Sequence, residues 1–310
     1  MRALQNRNPS RPAKLRLKIR FPEWVPATTS METSGKASRG GEELPRSGGL
    51  LLSAATLWER ELVRFLRQPS RIAGLVAAPL LFWIFLGLGF GSSFRPSPAP
   101  GAGSSLQYFF PGMVVMIVLF SSVFSNMSTI EDRREGFLLS VMVAPSPRAG
   151  LVLGKILGGA TQAMVPGLLF LLLAPLAGYG LQPVPTLLAA ATLFLIALSL
   201  TSFGFAIAWW MDSVQGFHAI LNLVLVPAWF LSGAMFPAAG ASTWIRGIMR
   251  ANPLTYEVEA LRGALEQASG PVSLGGISLH RSLEITALFA LATMLTALVW
   301  AGRPTVKHLH

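Results

Sequence analysis

Thr186-Leu-Leu-Ala-Ala-Ala-Thr-Leu-Phe-Leu-Ile-Ala-Leu-Ser-Leu-Thr-Ser-Phe-Gly-Phe-Ala-Ile-Ala208 runs through 23 residues without a charge. At ~1.5 Å per helical residue, a stretch of this length crosses the ~30 Å hydrocarbon layer of a bilayer. Five more apolar blocks of membrane length flank it, at about 72–90, 107–127, 151–177, 216–236 and 282–301. A backbone in lipid must satisfy its own polar groups, so the fold class that follows is an all-α integral membrane protein with six transmembrane helices. Composition agrees, because 52% of the 310 residues are hydrophobic and 13% are charged, against roughly 25% charged in an average soluble domain. A soluble enzyme, a secreted disulfide scaffold and a disordered chain are excluded. With no cysteine in the sequence, disulfides, thiolate zinc sites, iron–sulfur clusters and a cysteine nucleophile are excluded as well.

The formal net charge of +11 is concentrated at one end, where residues 1–71 hold 14 Lys+Arg against six Asp+Glu. A basic tail ahead of a hydrophobic span follows the positive-inside rule and suits anionic lipid, so it is read as membrane orientation and not as a nucleic-acid surface. With the N-terminus inside, 20 Lys+Arg fall on the cytoplasmic side and 5 on the outer side. Six spans then place both termini in the cytoplasm. Residues 1–48, rich in Arg, Pro, Ser and Gly, are expected to form a disordered basic cytoplasmic extension. Residues 49–71 supply an interfacial helix with its lead-in, 72–301 the six-span domain and 302–310 a cytoplasmic tail. The basic region before the first apolar block is too long for a signal peptide, so the first span is expected to be retained.

Between Ser53 and Arg67 the pattern is amphipathic: Trp58, Leu62, Phe65 and Leu66 form one arc of a helical wheel, and Arg60, Arg64 and Arg67 lie opposite. This predicts a helix lying in the headgroup plane. After the second block, Ser128 to Arg148 reads S-T-I-E-D-R-R-E-G-F-L-L-S-V-M-V-A-P-S-P-R. It is predicted as a cytoplasmic loop with a charged start, and it is longer and more apolar than a solvated connection between helices. Phe137, Leu138, Val141 and Met142 recur at helical spacing, so this segment rests on lipid or inserts into a protein partner. Residues 237–281 are moderately apolar but too interrupted to span.

No constellation for covalent chemistry is present. H-E-x-x-H and G-x-S-x-G are absent, His308 and His310 fall in the tail, and His218 reads as an interfacial anchor. No catalytic and no metal-ligating residue is assigned. Gly150-Leu-Val-Leu-Gly154-Lys155-Ile156 has one residue too few between its glycines for a phosphate loop, and it ends in Ile. Gly154 and Gly158 have instead the G-x-x-x-G spacing that allows close helix packing. Of the 14 acids, only Asp212 and Glu284 lie near a predicted span, which argues against an ion-coupled carrier. Gln162, Asn222 and Asn126 are the polar groups at membrane depth, read first as interhelical hydrogen bonds. Gln162, Asn222 and Trp229 are the candidate substrate-path residues.

Three stretches together resemble the permease subunits of type-2 ATP-binding-cassette exporters, the group of drug-resistance, nodulation-factor and polysaccharide export permeases. They are Glu131-Asp-Arg-Arg-Glu-Gly136-Phe-Leu through Ala144-Pro145-Ser-Pro-Arg148 and Leu153-Gly-Lys155, then Leu231-Ser-Gly233-Ala-Met-Phe236-Pro237, and Asn252-Pro-Leu-Thr-Tyr256 with Leu261-Arg262. The resemblance covers about residues 53 to 301 and departs from the usual pattern at Arg134 and Ser140, where acids are common. It implies a half-transporter that forms a homodimer in the bacterial cytoplasmic (inner) membrane, exporting an amphipathic drug, lipid or glycan. It implies a separate ATP-binding-cassette ATPase subunit carrying ATP and Mg, with no cofactor bound by this chain. The ATPase would dock on Trp58, Arg60 and Arg64 of the interfacial helix and on the loop through Glu131, Arg133, Glu135, Gly136, Phe137, Leu138, Val141, Pro145 and Arg148. Short re-entrant helices are implied on the outer side before the last span. A membrane scaffold or assembly factor that docks a cytoplasmic partner without transporting is the alternative.

Overall fold

The computed structural model describes residues 49–91, 104–137, 147–267 and 277–302. Helix α1 (Gly49–Leu66) precedes α2 (Pro69–Phe90), α3 (Ser105–Arg134), α4 (Arg148–Leu171), α5 (Pro183–Ala208) and α6 (Val214–Trp229), which a π-helical turn prolongs to Ala234. Two short helices, α7 (Thr243–Ala251) and α8 (Pro253–Glu266), come before α9 (Leu279–Gly302). Six of these, α2 to α6 and α9, are long and apolar enough to cross a membrane, and no strand occurs among the described residues. The protein is an all-α membrane protein.

The helix starts follow local chemistry. Pro69, Pro183 and Pro253 stand in first turns, where a missing N–H leaves no bond unmade. Ser104, Ser213 and Asn252 cap α3, α6 and α8 by accepting from the N–H groups of Gln107, Gly216 and Leu254 at 3.2, 3.2 and 3.1 Å. The second span extends beyond its expected end near residue 127, because α3 continues to Arg134 and carries Ser128 to Arg134 as helix instead of loop. Charged side chains prolong a helix where packed neighbours satisfy them, and α1, α4 and α5 do so here.

Helix α3 is the centre of the bundle: 83% of its apolar window is buried, against 22% for α2 and 28% for α9. Apolar burial gains little among helices already in lipid, so close approach at small residues decides the packing. A Cβ on Gly112 of α3 would lie 2.6 Å from the Ala234 Cβ, and one on Gly159 of α4 would lie 2.7 Å from both Ser125 and Thr201. The fifth span ends in a break. Pro227 removes an amide donor inside the helix, and Gly233 takes φ = 82°, a left-handed value that favours glycine. Neighbours hold the freed groups: Tyr108 Oη donates to the Gly233 carbonyl at 2.8 Å, Arg262 Nη2 to the same carbonyl at 3.2 Å, and Asn252 Nδ2 to the Ala228 carbonyl at 2.6 Å.

Sequence counting placed Arg262 among the outer loop cations, whereas the structure buries it at 1% exposure in an ion pair with Glu259. Glu257, fully buried, is hydrogen-bonded to Ser199 on α5. The expectation that only Asp212 and Glu284 lie near spans is therefore corrected. Helix α8 folds back on α5 and α9 and takes its acids into the interior.

The face of α1 also differs from the expected arc. Ala54, Leu57, Glu61 and Phe65 are buried, while Trp58 and Leu66 are 36% and 55% exposed. The reason is a glycine edge on α4. A Cβ at Gly154 would stand 2.7 Å from the Ala54 carbonyl oxygen and 2.8 Å from the Leu57 Cβ, and one at Gly158 would stand 2.9 Å from the Glu61 Cβ. The sequence reading left the partner of Gly154 and Gly158 open; in the structure it is α1. Gly154→Leu should cost about 1–3 kcal/mol by overpacking and lower the thermal midpoint of the purified protein. Gly89→Leu, placed where a Cβ meets nothing within 4 Å, should leave the midpoint unchanged, and equal midpoints for the two variants would remove the close α1–α4 contact.

Candidate functional site

Lys155, one turn into the apolar part of α4, is the centre of a charge network joining three helices. Its Nζ donates to Glu61 Oε1 of α1 at 2.7 Å, to Ser128 Oγ of α3 at 3.2 Å and to Asp132 Oδ2 of α3. Arg60 forms a two-pronged pair with Asp132, Nη1 to Oδ2 at 3.0 Å and Nη2 to Oδ1 at 3.1 Å. Arg64 donates to Glu131 Oε2 at 2.8 Å. Ser128 Oγ lies 3.2 Å from Glu61 Oε2, and Gln162 Nε2 donates to the Glu61 carbonyl at 3.0 Å. Three acids meet three bases, so the network is neutral.

Burial divides the network into two layers. The side chains of Asp132, Lys155 and Glu61 are 0%, 2% and 4% exposed, whereas Arg60, Arg64 and Glu131 are 37%, 40% and 43% exposed. The inner layer is well satisfied, since each charge meets an opposite charge in hydrogen-bonding geometry. The hydrogen bond to Asp132 raises the Arg60 pKa above its ordinary value, against the opposing effect of burial, so the guanidinium stays charged. Its plane also lies 4.0 Å from the centroid of the Phe137 ring.

Of the residues predicted to meet an ATPase, Arg60, Arg64, Glu131 and Phe137 gather around this network. Trp58 is on the same helix, with its indole N–H donating to Thr161 Oγ1 at 3.0 Å. Gly136, at φ = 77°, turns the chain out of α3 after the exposed Glu135. Arg133 points elsewhere, donating to the carbonyls of Ala208 and Trp209 at 2.6 Å and of Met211 at 2.8 Å, where a cation suits the helix dipole at the end of α5. Arg148 is exposed at the start of α4 and donates to the Gly302 carbonyl at 3.4 Å. Leu138, Val141 and Pro145 lie outside the described residues.

The substrate-path candidates are not brought together. Gln162 belongs to the α1 contact, Asn222 is exposed on α6, and Trp229 donates to the Gly112 carbonyl at 2.9 Å. Gln162 sits beside Ser121, nine residues or about 13 Å along α3 from Gly112. Sequence reasoning missed Glu61, Asp132 and Lys155 as a unit. The available signal was a lone lysine inside an apolar block, which requires a buried partner.

Lys155→Met removes the buried cation between Glu61 and Asp132 and leaves the half-exposed Arg60, 3.5 Å from Glu61 and 3.0 Å from Asp132, to serve both acids, which should cost about 3–5 kcal/mol. Arg64→Gln breaks a half-exposed pair and should cost about 0–1 kcal/mol. Thermal denaturation of the two variants in detergent measures the contrast, and similar losses would mean that the inner layer holds no more than the rim.

Residues 53–265, from α1 into α8, match the model of the ABC-2 type transporter family. A putative transport permease, ycf38 of Cyanophora paradoxa, is 26% identical over 251 residues, covering 77% of this chain and 85% of its own. The daunorubicin resistance ABC transporter permease protein DrrB1 of Streptomyces coeruleorubidus is 24% identical over 261 residues, 82% of this chain and 88% of its own. Nodulation protein J of Rhizobium meliloti strain 1021 is 26% identical over 241 residues, 77% and 87% of the two chains. The matched region holds both the charge network and the broken end of the fifth span, and the chain belongs to the ABC-2 type transporter family as a multi-pass transport permease.

Proposed function

We propose that this permease is half of a homodimeric exporter in the bacterial cytoplasmic membrane, driven by a separate ATP-binding-cassette ATPase that holds ATP and Mg. Both termini are cytoplasmic in this reading, and the cargo is an amphipathic drug, lipid or glycan moved outward. The supporting observation is the network around Lys155. Work done in a separate subunit must enter through an element with defined alternative positions that both partners bias. Because α1, α3 and α4 share buried ions, a displacement of α1 moves the ends of the second and third spans with it. The chemistry of transport in this chain is positional: it hydrolyses nothing and passes on a movement.

The docking surface is the underside of α1 together with the segment from Glu131 to Arg148. Phe137 is half-buried against Leu57 and its neighbours under the Arg60 guanidinium, at the start of the apolar stretch that leaves α3. An interface concentrates its energy in a few such anchors with a charged rim. Replacing Phe137 and Leu138 together by alanine should weaken ATPase binding to the permease in nanodiscs by about 30-fold or more, the loss of one hot spot, while the variant still inserts. Permease-stimulated ATP hydrolysis should fall with it. An inserted variant that binds the ATPase as tightly as the parent would remove this segment from the contact.

A further inference from the structure

Beside the charge network, a polar cavity of about 180 Å³ opens between α1 and α3, lined by Arg64, Gln68, Ser128 and Glu131 among others. An apolar groove of about 380 Å³ lies between α2 and α3, lined by Gly74, Leu75, Pro79, Met116 and Phe120. Arg71 and Phe124 line both spaces. The groove follows α2 for eight residues from Arg71 to Pro79, about 12 Å, so the pair has room for a single molecule with a polar head and an alkyl chain.

The charge of the head follows from what is already paired. Glu61 is matched by Lys155 and Glu131 by Arg64. Arg71 has no acid within ion-pair distance among the described residues; its guanidinium makes a 3.4 Å hydrogen bond to Gln68 and lies 5.5 Å from the Phe124 ring centroid. Arg71 also stands in the first turn of α2, whose positive dipole end favours an anion, although its own N–H and that of Ile72 are taken by the Gln68 carbonyl at 3.1 and 3.4 Å. Cavity and groove thus present one unmatched cation at the α1 end of the bundle and hydrocarbon from there toward the membrane interior. The order is that of a lipid in the leaflet on the α1 side.

We propose that this cavity and groove bind one single-chain anionic amphiphile, with its phosphate, sulfate or carboxylate head on Arg71 and its alkyl chain between α2 and α3. Naming that occupant as cargo captured before export rests on the function proposed above; its binding does not. The groove excludes a large neutral glycan and selects for charge at the head.

The test uses the full-length protein in phosphatidylcholine nanodiscs, without ATPase, and dodecyl phosphate carrying a diazirine near the end of its chain. Photolabelling should fall on residues 74–79 of α2 and 116–124 of α3. Arg71→Gln should lower it about tenfold, the worth of one charge-assisted hydrogen bond, and leave labelling by the matching dodecyl alcohol unchanged. Gly74→Leu should abolish labelling by both probes without disturbing the fold, because a Cβ there meets nothing within 4 Å. Labelling unchanged by either substitution, or spread evenly over the outward faces of α2 and α9, would make the groove ordinary lipid surface. Displacement by inorganic phosphate alone would reduce it to a free-anion site, and dissociation of a dimer by Gly74→Leu would assign it to a second copy. Each of these overturns the proposal, and none bears on the ATPase contact tested with Phe137.

Discussion

The arrangement depends on one buried cation. Lys155 carries its charge to 2% exposure inside a helix of membrane length, where an uncompensated ammonium would be expelled or neutralised. Glu61 and Asp132 compensate it, and Lys155 in turn is the buried partner of both acids, with Arg60 completing the pairing from the rim. The glycine edge of α4 follows from the same constraint. The α1 backbone must come close enough for a short glutamate to reach the lysine, and any side chain at Gly154 or Gly158 would hold it away. Charge pairing and backbone contact are thus two parts of one docking surface.

Helix α3 connects this end of the molecule to the other. Asp132 anchors it among α1 and α4, and near its opposite end Tyr108 holds the Gly233 carbonyl, with Trp229 bonded to Gly112 one turn further along. Arg262 joins the same carbonyl from α8. Polar bonds therefore fix α3 at both ends, and between them Ser121 Oγ donates to the Gln162 carbonyl at 3.4 Å and Asn126 Nδ2 to the Thr201 carbonyl at 3.2 Å amid apolar packing.

What could be read from the sequence was local. The spans show as long apolar runs with few charges, whereas their starts at Pro69, Ser105, Pro183 and Val214 and the break at Gly233 emerge only in the structure. What could not be read depends on partners far away in the chain. Glu61 belongs on a buried face only because a lysine 94 residues later meets it, and a helical wheel of α1 alone places an acid outward by default. Asp132 was assigned to a loop for the same reason, and Arg262 to solvent, although its acceptor is a carbonyl exposed by a helix break 29 residues earlier. The spacing of Gly154 and Gly158 announced a close contact and could not name α1 as the helix that makes it.

The central claim is that the buried ions, and not the lipid surface, hold α1 to the bundle. Hydrogen exchange of the α1 amides in nanodiscs measures this directly, in the parent protein and in Lys155→Met. The account predicts that α1 exchanges as slowly as the first turns of α4 in the parent, and that Lys155→Met releases α1 while α5 and α9 keep their protection. Slow exchange of α1 retained in Lys155→Met would contradict it.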